Sequence, residues 1–272
     1  DLKPDAPEGI RGPYKPAATA VPGLHLNELH TRLAPLTKHI AVIRSMQHVG
    51  NISNHFDAMH HCLTGQAGAP DDAPYIGSVL SHVRASKRNI ASYFWLMNPG
   101  RASVFISAFM ATGGFLGSRH APVVIGDQNN HPAMPHYRGA DDLFAPADSA
   151  RMGDRHRLLT GLDAGKSEST RVRPEQDWGE LHNRAFELAT GPGGRQVFDL
   201  NREPTKLRDR YGRNPLGQNL LLSRRLVEAG AKFINVYFHN SIGGCTGGWD
   251  THGFNDKPMY PILKKHLLPM TD

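Results

Sequence analysis

The sequence predicts an α/β protein built on a mostly parallel sheet, and three observations carry that prediction. Short runs rich in β-branched and aromatic residues, Ile90–Met97, Pro122–Ile125 and Lys232–Phe238, read as buried strands. Helical stretches separate them; Leu216–Gly230 has apolar residues at helical spacing and a closing glycine. Polar or glycine-rich phrases follow the strands, and open α/β sheets bind ligands beyond strand carboxyl ends.

Taken in order, residues 1–24 are rich in proline and glycine and read as extended. Leucines 26, 29, 33 and 36 predict a helix over Leu26–Leu36. His39–Ile43 reads as a short strand with Arg44-Ser45-Met46-Gln47-His48 at its carboxyl end. Asn54–Leu63 is predicted helical, capped by Asn54 or Ser53 and closed by Gly65. Ala73–Ala85 is a further helix, and Thr112–Gly117 a turn. The polar stretch Gly126–Ser149, with His131 and His136, is a long excursion of the kind that carries function or motion. Helices follow over Ala150–Leu162, Asp177–Thr190 and Thr205–Tyr211. Ile40–Ile43 and Phe233–Phe238 are expected as parallel strands of one sheet, with Ser45–His48 and Asn240–His252 at one edge.

A chain of 272 residues is long enough to bury a sizeable core and is expected to form one domain. The 20 prolines and 28 glycines imply long irregular connections. A net charge of +6 suits an anionic ligand and equally suits ordinary solubility. No basic cluster alternates with aromatics, so nucleic acid is discounted as a partner. No apolar run reaches membrane-spanning length. Cys62 and Cys245 belong to no Cys-x-x-Cys motif, and their state stays open. The chain opens without methionine in a turn-rich phrase and stops inside an amphipathic pattern, Leu267–Asp272, so a fragment lacking both ends is expected.

The chemistry concentrates at two places. Gly243-Gly244-Cys245-Thr246-Gly247-Gly248-Trp249-Asp250-Thr251-His252 presents a carboxylate and an imidazole two residues apart, just after a predicted strand. Asp250 and His252 are candidate metal ligands; the alternative is a capped turn in which Asp250 bonds local backbone N–H groups. No serine sits in a Gly-x-Ser-x-Gly elbow, which disfavours a nucleophilic triad. The second place holds His48, His55, His60 and His61 within fourteen residues. At 100° per residue these cannot all face one ion from one helix, and His48 with His55 is the easier pair. A helix N-terminus there favours an oxyanion, with Arg44 and Arg119 as candidate anion partners; each histidine and arginine has the alternative of an ordinary structural or solvated role.

A set of phrases in fixed order adds to this reading. They include Ile10-Arg11-Gly12-Pro13-Tyr14-Lys15-Pro16, Ile43-Arg44-Ser45-Met46 with His48, Leu63-Thr64-Gly65 and Gly113-Gly114-Phe115-Leu116-Gly117. Arg208-Asp209-Arg210-Tyr211-Gly212-Arg213-Asn214, Arg224-Arg225-Leu226-Val227-Glu228-Ala229-Gly230 and Gly248-Trp249-Asp250-Thr251-His252 complete the set. From end to end the chain resembles the bacterial family catalogued as domain of unknown function 1501, which looks like a branch of the alkaline phosphatase and sulfatase superfamily. The resemblance implies a three-layer fold, a mainly parallel central sheet flanked by helices, incomplete here, with a metal-centred site at the strand ends.

It further implies that Asp250 and His252 match an Asp/His metal-ligand pair, although Asp-x-His is tighter than the superfamily's Asp-x-x-x-His. Leu63-Thr64-Gly65 resembles the end of the sulfatase nucleophile motif, and counting back ten positions from Gly65 lands on His55, where a hydroxyl or thiol is expected. The rest of the ligand set is expected in segments beyond both ends, and export of the parent protein is implied by relatives that carry export signals.

The expected function is metal-dependent hydrolysis of a small anionic ester, sulfate or phosphate. Asp250 and His252 would hold Zn²⁺, or Mn²⁺ or Ca²⁺ in an oxygen-rich site. His55 and His48 would be the catalytic imidazoles and Arg44 the anion contact. The alternative is a non-catalytic binding or scaffolding relative that kept the fold and lost the nucleophile.

Overall fold

The computed structural model describes residues 3–47, 52, 55–88, 90–98, 112–127, 130–137, 139, 149–164, 194–237 and 259–272. Its contacts form two units, Asp1–Gln47 with Phe238–Asp272, and His48–Tyr237.

In the first unit, strand β1 (Pro16–Ala18) pairs antiparallel with β2 (His25–Asn27). The Thr19 hydroxyl closes the loop between them by donating to Leu24 O at 2.8 Å. The predicted helix over Leu26–Leu36 does not form. Asn27 Oδ1 accepts the Leu29 N–H at 2.9 Å, an Asx turn that diverts the backbone before a helix can nucleate. Pro35 then sits at the start of a 3₁₀ helix, Ala34–His39, inside which the Thr37 hydroxyl is buried against Ala34 O.

The strand expected at His39–Ile43 is absent as well: His39 ends the 3₁₀ helix, and residues 40–43 have no ladder partner. Ile43 is 69% exposed and Val42 48%, so the apolar run finds no sheet to bury it. The expectation that Ile40–Ile43 forms a parallel strand in one sheet with Phe233–Phe238 is therefore corrected: residues 40–43 form no strand. The unit's last segment runs from an α-helical turn, Met259–Ile262, through a π turn, Leu263–Leu267, to Leu268–Thr271. It is fastened at both ends. Tyr14 donates to Tyr260 O at 2.6 Å, and the Asp272 carboxylate accepts the N–H groups of Arg32 and Leu33.

The second unit is the α/β body. Strands β3 (Tyr93–Asn98), β4 (Val123–Asp127) and β5 (Phe233–Val236) form a parallel sheet in the order β4-β3-β5. All three had been placed from sequence to within a few residues. Trp95 stands opposite Val124 on one side and Asn235 on the other. Period-two alternation divides the side chains between two buried faces. Phe94, Leu96 and Ile125 face a cluster with Phe198, Leu200, Leu221, Leu222 and Leu226. Tyr93 and Trp95 face the other way, against Tyr75, Met59 and Leu63.

Helices cover both faces. Pro215–Ala229 supplies three fully buried leucines, Leu221, Leu222 and Leu226, each contributing about 1.5–3 kcal/mol. Asn214 caps its start by accepting the Gly217 N–H at 2.8 Å, and Gly230 ends it in the left-handed region at φ 115°. On the opposite face lie His55–Thr64 and Ile76–Val83. Gly77 sits on the Tyr93 ring so closely that a Cβ there would lie 2.6 Å from it. The helix predicted over Ala73–Ala85 is shorter, Ile76–Val83: Pro74 disfavours a helical Ala73, and Tyr75 is extended at the N-cap. Thr205–Tyr211 forms as expected, and Ala150–Leu162 lies within Ser149–Ala164. The helix expected over Asp177–Thr190 lies outside the described residues.

The structure thus has a mixed α/β body with a parallel sheet covered on both faces.

Candidate active site and binding cleft

Because the three strands are parallel, their carboxyl ends share one edge. There Asp127 pairs in register with Asn98. Gly126 adopts φ +75°, and a Cβ on it would meet Asn130 O at 2.6 Å, so the turn out of β4 requires glycine. Within that turn the Asp127 N–H donates to Asn130 O at 3.0 Å. Asn130 N–H returns a bond to the Asp127 carboxylate at 3.0 Å, and its side chain donates to Gly139 O at 2.9 Å. The carboxylate is held at the edge by its own loop.

His131 comes next. Its Nδ1 accepts the Ala133 N–H at 3.3 Å, which leaves the ring proton on Nε2. Burial lowers its pKa, and the nearby Asp127 charge offsets part of that shift. At neutral pH the imidazole is uncharged and presents a donor.

The same loop, as it runs on, walls a cleft of about 400 Å³. Pro132, Met134 and Tyr137 form one side; Phe198, Asn201 and Arg208 contribute to the other. Arg208 is the group to notice. Its Nε donates to Gln218 Oε1 at 2.9 Å, one Nη to Asn201 Oδ1 at 3.0 Å and the other to Pro132 O at 3.3 Å. All three acceptors are neutral. Burial lowers the guanidinium's pKa, Arg213 lowers it further, and Asp199 and Asp209 act in the opposite sense without a direct bond to it. A cation fixed in direction by neutral acceptors keeps its charge for an incoming anion.

The second wall is anchored from behind. Arg225 donates to Val197 O at 2.7 Å and pairs with Glu203, tying residues 197–203 to the helix Pro215–Ala229. Gln218, fully buried, donates to Arg208 O at 2.9 Å and Gly212 O at 2.8 Å. Asp199 caps the following 3₁₀ turn through Asn201 N–H at 3.0 Å. From the two phrases Arg208–Asn214 and Arg224–Gly230, Arg208 thus lines the cleft and Arg225 braces its wall.

The residues picked out by sequence fall as follows. Asp250, His252 and His48 lie outside the described residues. His55 opens its helix, and its side chain lies outside the described residues too. Arg44 lies in an exposed turn of the first unit, without the preceding strand expected for it. His60 has a structural role, its Nε2 lying 3.1 Å from both Ala69 O and Pro70 O. Leu63-Thr64-Gly65 ends the helix: the Thr64 hydroxyl donates to His60 O at 2.7 Å, and Gly65 takes φ 76°. Arg119 Nε donates to His120 Nε2 at 2.9 Å, beside Ser81 and His82. Gly113–Gly117 is a tight turn in which a Cβ on Gly113 would lie 1.9 Å from Gly117 O.

Among the described residues no group of three or more His, Cys, Asp or Glu side chains could hold a metal ion. Also among them, no helix is long and apolar enough to cross a membrane. Asp127 and Tyr137 were not singled out by sequence reading; His131 was named only within the long polar excursion and Arg208 only within the phrase Arg208–Asn214. The available signal was positional: Asp127 lies two residues beyond the predicted strand Pro122–Ile125, and Arg208 opens the charged phrase Arg208–Asn214.

Comparison with known proteins yields a family model described as "Protein of unknown function (DUF1501)", which matches residues 1–267. No curated protein and no solved structure matches the chain.

Proposed function

The chain belongs to the DUF1501 family of proteins of unknown function, and we propose that it is a metal-dependent, hydrolase-like protein acting on small anionic esters of sulfate or phosphate. On this reading its body is a three-layer domain of the alkaline phosphatase and sulfatase kind. The observation that carries the proposal is Arg208: a guanidinium oriented by three neutral acceptors in a cleft whose wall leaves the carboxyl edge of the sheet. Arg208 binds the ester's charged oxygens, and the apolar lining from Pro132, Met134 and Phe198 receives the organic part.

Asp250 and His252 are the metal ligands of this proposal. A carboxylate and an imidazole suit Zn²⁺, and Mn²⁺ or Ca²⁺ where further oxygens join them; two donors leave a tetrahedral shell half filled. When bound, such an ion supplies Lewis acidity. His55 and His48 contribute imidazoles for proton transfer, and Arg44 a further anion contact.

The second reading, a binding or scaffolding relative without turnover, rests on His55, which stands where the resemblance puts a hydroxyl or thiol. One set of experiments separates the two. Aryl sulfates and aryl phosphates are assayed on the metal-supplemented protein, with metal content measured in parallel. Arg208→Lys keeps the charge and loses the fork, so KM should rise about tenfold with little change in kcat. Asp250→Ala and His252→Ala should each lose the bound metal. Stoichiometric metal in both variants would remove them as ligands. A filled metal site with no turnover of any ester would establish the binding-protein reading.

A further inference from the structure

A second groove, of about 560 Å³, lies before β3 and β5, at the sheet's amino edge. Its lining comes from residues 84–88 on one side and 227–232 on the other. Arg84, Lys87, Arg88 and Lys232 supply four cations, and Glu228 is the lining's one carboxylate. That carboxylate is already engaged by Arg224 at 2.8 Å on the helix surface.

The groove is built rather than incidental. Ser86 N–H donates to Ser92 Oγ at 2.8 Å, and Arg88 N–H donates to Ser86 Oγ at 3.2 Å, so the turn is pinned to the start of β3. Lys232 N–H donates to Ser92 O at 2.8 Å, which fixes the opposite wall to the same serine. Gly230, at φ +115°, leaves room for the stem of Arg88: a Cβ there would lie 2.9 Å from Arg88 Cδ. The Arg88 guanidinium donates to Glu228 O at the helix end, leaving Arg84, Lys87 and Lys232, all exposed, to face an outside partner. Among the described residues no aromatic side chain lines the groove, which therefore offers there no stacking surface of the kind single-stranded nucleic acid uses.

We propose that this groove binds a linear polymer bearing closely spaced tetrahedral oxyanions, sulfate or phosphate. Several cations spread along an open groove gain from a chain of charges what they cannot gain from one small anion, because each neutralised charge releases a counterion. The site is distinct from the Arg208 cleft and does not depend on ester hydrolysis.

The test is fluorescence anisotropy of labelled dextran sulfate and labelled inorganic polyphosphate with the full chain, at several salt concentrations. At least one should bind with an affinity that falls steeply with salt, and the tighter names the source of the oxyanions. Lys87→Glu with Lys232→Glu should weaken that binding at least tenfold and flatten its salt dependence, with the unfolding midpoint unchanged. Arg208→Lys should leave it intact, so failure here and failure of the hydrolase reading are told apart. Arg151→Glu with Arg157→Glu, on the helix Ser149–Ala164, is the charge-matched control. Equal loss in that control would show general attraction to net charge and overturn the proposal. So would binding of polyglutamate as tightly as the polymers, or no polymer binding at all.

Discussion

Among the described residues the Tyr137 hydroxyl, buried against the core, has no hydrogen-bond partner, and burial raises its pKa. A buried O–H with no acceptor has given up its hydration at a cost of about 1–3 kcal/mol. Tyr137→Phe removes that group and keeps the ring. Its stability by urea unfolding is expected to equal the parent's or exceed it by up to ~1 kcal/mol. A loss larger than that would show that the hydroxyl does have a partner. Arg208 makes the opposite case at the same cleft, since each guanidinium nitrogen has an acceptor. No reading of the sequence alone could reveal this difference. Arg208 meets Pro132 across 76 positions, and periodicity says nothing of contacts at that range.

At the scale of elements, the helix Ile76–Val83 reaches the sheet because Gly77 lets its backbone rest on the Tyr93 ring. Gly77→Ala gains helix propensity but must push a methyl group into that ring, and overpacking costs about 1–3 kcal/mol. Net destabilisation is therefore expected, and an unchanged urea midpoint would sink the claim. The C-terminal segment depends on Asp272. Burial draws its carboxyl upward, while the N–H groups of Leu33 and Arg32, the Thr31 hydroxyl and His30 more than offset that and leave the pKa below its usual value. A folded pKa below the unfolded one means the fastening is complete above the unfolded range, about 3.9, and is lost as pH falls through the folded value. The amide proton shifts of Arg32 and Leu33 should thus titrate with one midpoint below the ordinary aspartate range, and Asp272→Asn should abolish that titration. The elements legible in advance were those carrying their own stop signals, such as Pro215–Ala229 between Asn214 and Gly230. Leu26–Leu36 was misread because leucine spacing outweighed the Asx turn at Asn27, and residues 39–43 because an apolar run does not say whether a sheet edge is near.

For the whole molecule, an α/β body with a parallel sheet was readable as a class, since alternation and strand–helix spacing are local properties, whereas the order β4-β3-β5 was not. The candidate cleft was not readable either, because its walls come from residues 132–137 and 196–208, brought together by packing on Phe198 and Leu221 and by the Arg208–Pro132 hydrogen bond. On the proposed reading turnover draws on all of this, and position 55 decides its course. A hydroxyl or thiol there would attack the ester and form a covalent intermediate, giving two displacements and net retention at phosphorus. This chain has an imidazole at that position. On the proposed reading water attacks phosphorus directly and the bond to the aryl oxygen breaks to release the phenol, with Arg208 holding the anionic oxygens and His55 taking the proton from water. One displacement inverts configuration. A chiral aryl phosphate turned over in isotopically labelled water should therefore give inverted product, and His55→Ala should lower kcat while bound metal stays constant. Retained configuration, or unaltered kcat in His55→Ala, would refute that role for the imidazole.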